Sequence, residues 1–245
     1  MTKQINESEK YEEEMKNNLK EGKVTFFYLN GDKYEGEWKN NKRVGKGKLF
    51  YANGDIYDGE WKNDIRQGKG KYSNRNGGKY IGEYNNDSME GKGVLYYINN
   101  DIYVGDFKNN KKNGKGRYYS NDGSIFEGEF INDRLDGKGV LYYLNGAIYK
   151  GEFKNNRLDG KGIMYYINGI RYEGEFKNDR LDGKGILYYT NGDRFEGEWK
   201  NDIKNGKGIL YYNNGDRMIG YYSCGKKTGK DVVIKKNDKI KNIVF

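Results

Sequence analysis

The chain's 245 residues include 45 basic and 36 acidic side chains, a net charge of +9, with no histidine, no proline and a single cysteine, Cys224. These counts exclude Ser–His and Cys–His nucleophilic pairs, histidine metal ligands and an internal disulfide, and they leave no zinc site to expect. The first ten residues, MTKQINESEK, lack a signal-peptide core, and no apolar run reaches the roughly 18 residues that span a bilayer, so a soluble protein of a reducing, cytoplasmic compartment is expected.

In chain order, residues 5–20 carry Tyr11, Met15 and Leu19 at a spacing of four among Glu, Lys and Asn, which predicts a short amphipathic helix. A 23-residue period then governs the sequence. In Tyr172–Arg194, counted from zero, an aromatic stands at zero, Gly at two, an aromatic at four, Gly at eleven and thirteen, and Asn-Gly at nineteen and twenty. Stepping by 23 finds the same pattern opened by Tyr34, Tyr57, Tyr80, Tyr103, Phe126, Tyr149 and Phe195, so eight units run over 34–217 without insertion or deletion. Such a period marks a stacked array, in which no unit buries its apolar face alone. Tyr11 also falls on position zero, with Glu13 and Val24 where Gly is the rule, so 1–33 reads as a tail with a degenerate capping unit. Residues 218–245 keep Gly220, Tyr222 and Gly229 and read as a degenerate C-terminal cap.

Within a unit, Gly36 and Trp38, Gly59 and Trp61, Gly174 and Phe176, and Gly197 and Trp199 alternate with Glu and Lys at period two, which predicts strand. The second strand reads from the Gly at thirteen to position seventeen, and Asn-Gly closes toward the next unit. The fold predicted is all-β: a single-layer, twisted antiparallel meander of stacked 23-residue hairpins. Because 23 is odd, stacked units keep equivalent residues on one face only if one turn counts as odd. A three-residue turn with a bulge at the Asn-Gly glycine puts positions zero, two, four, thirteen, fifteen and seventeen together. The missing side chains at two and thirteen then make room for the large ring at four.

Tyr-x-Gly-x-Trp/Phe, Gly-Lys-Gly and Asn-Gly on a 23-residue step resemble the MORN (membrane occupation and recognition nexus) repeat. That resemblance implies a groove-shaped single-layer sheet. Repeats of this kind occur beside lipid kinases and SET-domain methyltransferases, in membrane-junction proteins, in radial-spoke heads and in cytoskeletal scaffolds. The repeat-only layout here is most similar to the scaffold and axonemal members.

Candidate chemistry is sparse. The stretch Gly220–Lys227 comes nearest to a phosphate loop, but Lys227 stands where Ser or Thr would bind magnesium and no long helix follows. Position three is acidic in all eight units and position twelve is Lys in all eight. Repeated exposed carboxylates read as a charge ladder rather than an acid–base pair. No catalytic residue, metal or cofactor is therefore assigned. The Glu row offsets the Lys row within a Debye length, and nothing points to nucleic acid.

Departures between units carry the remaining signal. Position fourteen is Lys or Arg in units one, two and four but Val140, Ile163, Ile186 and Ile209 in units five to eight, where position sixteen is Tyr142, Tyr165, Tyr188 and Tyr211. These eight residues are predicted to form a continuous aliphatic–tyrosine ribbon, which either lies under the stems of neighbouring Lys and Glu or docks partner proteins. Position in a cytoskeletal or ciliary assembly is the preferred reading. A peripheral adaptor for anionic phospholipid or phosphoinositide, and a regulatory subunit of a separate enzyme such as a lipid kinase, are the alternatives. Residues 218–245 hold seven Lys against Asp231 and Asp238, and Val232, Ile234, Ile243 and Phe245 mark a candidate edge for a homodimer.

Overall fold

The computed structural model describes residues 11–12, 15–16 and 19–236. Among them there is no helix. Twenty strands form one long antiparallel meander sheet that does not close, and a two-stranded ribbon pairs Met15–Lys16 with Leu19–Lys20. The described residues divide into two compact units, one of those up to Asn121 with Ile131–Asp133, the other of Asp122–Phe130 with those from Arg134 onward. The same hairpin recurs within each.

The helix expected around Tyr11, Met15 and Leu19 is not formed. Tyr11 pairs with Phe26 and Glu12 with Thr25, while Met15 pairs with Lys20 and Lys16 with Leu19. The unit opened by Tyr34 uses the same offsets, pairing Tyr34 with Leu49, Trp38 with Arg43 and Lys39 with Lys42. A helix this short is marginal by itself. Ladder bonds to the strand Gly22–Phe27 outweigh the spacing of four.

The hairpin at 171–188 shows how the period is built. Its strands, Arg171–Lys177 and Arg180–Tyr188, are joined by Asn178 and Asp179 at φ 48° and 69°, the two left-handed residues of a type I′ turn. The second strand thus begins at position eight, five residues earlier than the sequence pattern implied, because Asn-Asp is a weaker turn signal than Asn-Gly. The next turn has three residues. Tyr189 N–H donates to Asp193 O at 2.9 Å, Gly192 N–H donates to Tyr189 O at 3.2 Å, and Gly192 sits at φ 88°. The expected odd turn with its glycine bulge is therefore present. Pairing of Tyr172 with Leu187, Gly174 with Gly185, and Leu187 with Phe195 puts positions zero, two, thirteen and fifteen on one face.

On that face the ring at position zero, not the ring at four, occupies the room the glycines leave. A Cβ on Gly174 would lie 2.5 Å from Gly185 Cα and 2.6 Å from the Tyr172 hydroxyl, and one on Gly185 would strike the Tyr172 ring. Tyr172 is fully buried and its hydroxyl donates to Glu175 O at 3.1 Å. The ring at four stands edge-on between two position-zero rings. Phe176 meets Tyr149 at 4.9 Å and Tyr172 at 5.2 Å, and Trp199 meets Tyr172 and Phe195, each at 5.5 Å. The first compact unit repeats this, with Trp61 between Tyr34 and Tyr57. Edge-to-face contact suits the ring quadrupole, and the zipper takes the place of a second layer.

Neighbouring hairpins are tied at the type I′ turns. Leu158 N–H donates to Asp179 Oδ1 at 2.8 Å while Asp179 N–H donates to Leu158 O at 3.0 Å, and Leu181 with Asp202 repeats the exchange. Asn or Asp at this position thus serves both the positive φ and the tie.

Three outcomes follow from this packing. Gly185→Ala drives a methyl into the Tyr172 ring, so a denaturation series should show a loss of about 1–3 kcal/mol. Trp61 and Trp199 donate their indole N–H to Gly47 O and Gly185 O, at 3.1 Å and 3.2 Å, whereas the buried Trp38 Nε1 has no hydrogen-bond partner and faces a unit with Val24 in place of Gly. Trp61→Phe should accordingly cost about 1 kcal/mol more than Trp38→Phe in the same assay. Burial pushes the Tyr34, Tyr57, Tyr149 and Tyr172 hydroxyls far above their ordinary value and that of Tyr72 up to about 12. The folded state holds neutral phenols, so their contribution is complete below pH 10, where the unfolded groups titrate, and is lost as pH rises through the folded values. Urea midpoints should be level from about pH 6 to 9 and fall above about pH 10.

Candidate partner-binding face

The face opposite the rings carries positions one, three, twelve, fourteen, sixteen and twenty-two. Glycines at two and thirteen send no side chain to either wall, and the strand pairs Gly162–Gly174 and Gly185–Gly197 floor a groove of 720 Å³ lined by Ile163, Ile186 and Ile209 with Lys161, Lys184, Lys207 and Glu173, Glu196.

Each hairpin bends at a bulge between positions two and four, and the acidic residue at three serves it. Lys138 N–H donates to Glu129 Oε2 at 3.0 Å, Lys161 N–H to Glu152 Oε2 at 3.1 Å and Lys115 N–H to Asp106 Oδ2 at 3.0 Å. The glycine at eleven lies beneath that carboxylate with positive φ, 108° at Gly183, where a Cβ would strike Glu175 Oε2. The acidic row thus clamps backbone as well as answering the Lys row, for which Lys92 with Asp106 at 2.5 Å is an instance. No group of three or more His, Cys, Asp or Glu able to hold a metal occurs among the described residues.

The eight predicted docking residues lie on this face, half-buried to exposed; Tyr142 and Tyr165 are each 36% exposed. The structure does not join them into an unbroken ribbon. Across the strands Ile163 pairs with Glu173, Glu173 with Ile186, Ile186 with Glu196 and Glu196 with Ile209, while Lys150 stands between Val140 and Ile163. The tyrosine row is interleaved likewise, Tyr165 with Arg171, Arg171 with Tyr188, Tyr188 with Arg194, Arg194 with Tyr211 and Tyr211 with Arg217. Position fourteen meets position one of the flanking strands, a pairing that sequence spacing alone does not expose.

Arginine at position twenty-two was missed from the sequence, although comparison between units could have found it. Arg171 Cζ lies 4.1 Å from the Tyr188 ring centre and Arg194 Cζ 4.0 Å from that of Tyr211. The Arg171 guanidinium lies 3.7 Å from the Glu173 carboxylate.

Of the proposed self-association residues, Val232 is 41% exposed and Ile234 is buried, both on the strand Lys226–Ile234, which pairs with Arg217–Ser223. Ile243 and Phe245 lie outside the described residues. The stretch Gly220–Lys227 is the tip of that hairpin, turning at Cys224 and Gly225 with φ 48° and 78°, and it forms no phosphate loop.

Comparison with known proteins adds a family and a fold. Among solved structures, the TCP10 domain of Danio rerio CPAP in complex with a peptide of Danio rerio STIL is similar at 16% identity, over 92% of this chain and 99% of that chain, with a TM-score of 0.54. The wild-type TCP10 domain of Danio rerio CPAP follows at 15%, 85%, 98% and 0.48, and the TCP10c domain of Drosophila melanogaster Sas-4 at 18%, 73%, 93% and 0.35. At such identities the first likeness shows the fold alone, and the other two carry no weight. The curated proteins include no match. The MORN repeat model matches residues 34–56, 57–79, 80–102, 103–125, 126–148, 149–171, 172–194 and 195–217. Those eight consecutive matches take up most of the chain, which therefore belongs to the MORN-repeat family.

Proposed function

We propose that the chain is a non-catalytic scaffold that docks partner proteins through the polar face of units five to eight, in a cytoskeletal or ciliary assembly of the cytoplasm. The observation that carries this reading is the 720 Å³ groove, in which Ile163, Ile186 and Ile209 interrupt the Glu and Lys rows beside stacked Tyr188 and Tyr211; Ile81, Val94 and Val104 form a smaller apolar patch on the same face of the preceding units. The groove over residues 23–58 is instead lined by Lys23, Thr25, Glu35, Glu37, Lys46, Lys48 and Asp58, with Val24. The contrast is what a docking site confined to one stretch of the array requires, since aromatic and aliphatic groups supply most interface energy. Peptide binding by the structurally similar TCP10 domain supports the reading at the level of fold. For location, no helix among the described residues is long and apolar enough to cross a membrane, which suits a scaffold that acts away from the bilayer.

The competing reading is an adaptor for anionic phospholipid through the Lys row. Ile186→Asp with Tyr188→Ser should reduce co-purification of the native assembly at least tenfold while the strand signal in circular dichroism is unchanged. Normal association would refute docking at this strip and turn attention to the ring face around Trp38 and Tyr51. Strong, salt-sensitive sedimentation with anionic vesicles that the double variant retains would favour the lipid reading.

A further inference from the structure

We propose that this groove takes an extended, acidic segment of the partner protein, in which apolar and acidic side chains recur at every third residue. The inference rests on the docking reading above and names the chemistry of what docks.

The repeats supply their own reference. Position twenty-two varies between Lys and Ile up to Ile148 and is then Arg in three successive units, Arg171, Arg194 and Arg217. The change coincides with the stretch where position fourteen is Ile and position sixteen is Tyr. Arg171 and Arg194 are stacked on Tyr188 and Tyr211 at 4.1 Å and 4.0 Å. Stacking covers a guanidinium face and restrains its long stem, while the N–H donors lie in the plane and suit a carboxylate approaching edge-on. The 3.7 Å separation between Arg171 and Glu173 is too long for a hydrogen bond, so that neighbour does not use the donors up.

The charge balance of the groove agrees. The groove lining holds Lys161, Lys184 and Lys207 against Glu173, Glu175, Glu196 and Glu198; the row of Arg171, Arg194 and Arg217 that runs beside it, in register with the tyrosines, brings this stretch of the face to six cations against four carboxylates. Of the four, Glu175 also accepts the Lys184 backbone N–H at 3.4 Å, as its equivalents do in other units. An acidic ligand is the complementary one.

Period decides the conformation. Successive hairpins stand about 9.6 Å apart, two strand spacings. An extended polyproline-type chain advances about 9.3 Å in three residues, so it slips by only about 1 Å over three units. A helix advances about 10.5 Å in seven residues and slips by about 2.7 Å over the same length, losing its match. The three-residue helix also has three faces. One can drop apolar side chains against Ile163, Ile186 and Ile209, and the next can present carboxylates to the arginine row.

The test uses the full chain and fluorescein-labelled peptides of four repeats, read by anisotropy. Leu-Glu-Pro repeats should bind, and Leu-Lys-Pro and Ser-Glu-Pro repeats should each bind at least tenfold more weakly. Substituting Arg171→Gln, Arg194→Gln and Arg217→Gln together should weaken the Leu-Glu-Pro peptide at least tenfold with an unchanged strand signal. The corresponding triple Lys variant, which keeps the charge but not the planar fork, should fall between. Should the Gln variant not fold, the Lys variant and the peptide comparison still decide. Equal binding of the acidic and basic peptides, or no loss in the triple variants, overturns the proposal. So does capture of phosphatidylserine–phosphatidylcholine vesicles in place of the peptide, which would assign the arginines to a lipid surface. If the peptide fails while Ile186→Asp with Tyr188→Ser still loses the native assembly, the partner chemistry is wrong and the docking face stands. If that variant also keeps its assembly, the face falls too.

Discussion

A phenyl or phenol ring lying across two facing glycines is the contact on which this structure depends. A single-layer sheet has no partner layer to bury its apolar side chains, so burial must be found within the layer itself. Opposed glycines such as Gly174 and Gly185 open a flat patch of backbone, and Tyr172 covers it completely. The next ring wedges edge-on between two such covers, as Phe176 does between Tyr149 and Tyr172. Each hairpin therefore completes its core only with a neighbour, which is the nearest-neighbour energetics of a repeat array. Phe126 and Phe195 fill the same role without a hydroxyl, so ring area matters more than the hydrogen bond to the carbonyl at position three.

The same economy holds for the polar groups. A bulge leaves a backbone N–H without a ladder partner, and the acidic residue at position three accepts it, as Glu152 does from Lys161. The type I′ turn would leave its second residue strained, and Asn or Asp there both tolerates positive φ and exchanges hydrogen bonds with the preceding hairpin. These recurring features of the period therefore answer to backbone geometry.

What remains variable is the face away from the rings. Side chains at positions one, fourteen, sixteen and twenty-two carry no part of the zipper or the clamps. They can drift from Lys48 and Lys71 to Ile163 and Ile186 without disturbing the fold. That freedom is why one stretch of the array can acquire an apolar floor and an arginine row. It is also why the functional reading rests on differences between units.

Much of this was legible in the residues. The 23-residue step, the period-two alternation and the odd turn with its glycine bulge follow from local sterics, and all three appear at Tyr172–Arg194 as read. The face on which the residues proposed for docking lie was legible for the same reason, since strand parity depends only on counting. Other features needed partners distant in sequence. Tyr11, Met15 and Leu19 satisfy a helical spacing, and only pairing with the strand Gly22–Phe27 and within the Met15–Lys20 ribbon decides against it. The use of the glycine gap by the ring at zero, the clamping of Gly183 by Glu175, and the interleaving of Ile186 with Glu173 and Glu196 all arise across strands. Sequence by itself determined the period, the strands and which side chains share a face, because each depends on local backbone geometry. Tertiary structure alone decided what lies beside what, because cross-strand neighbours are set by register and bulges that bring together residues far apart in the chain.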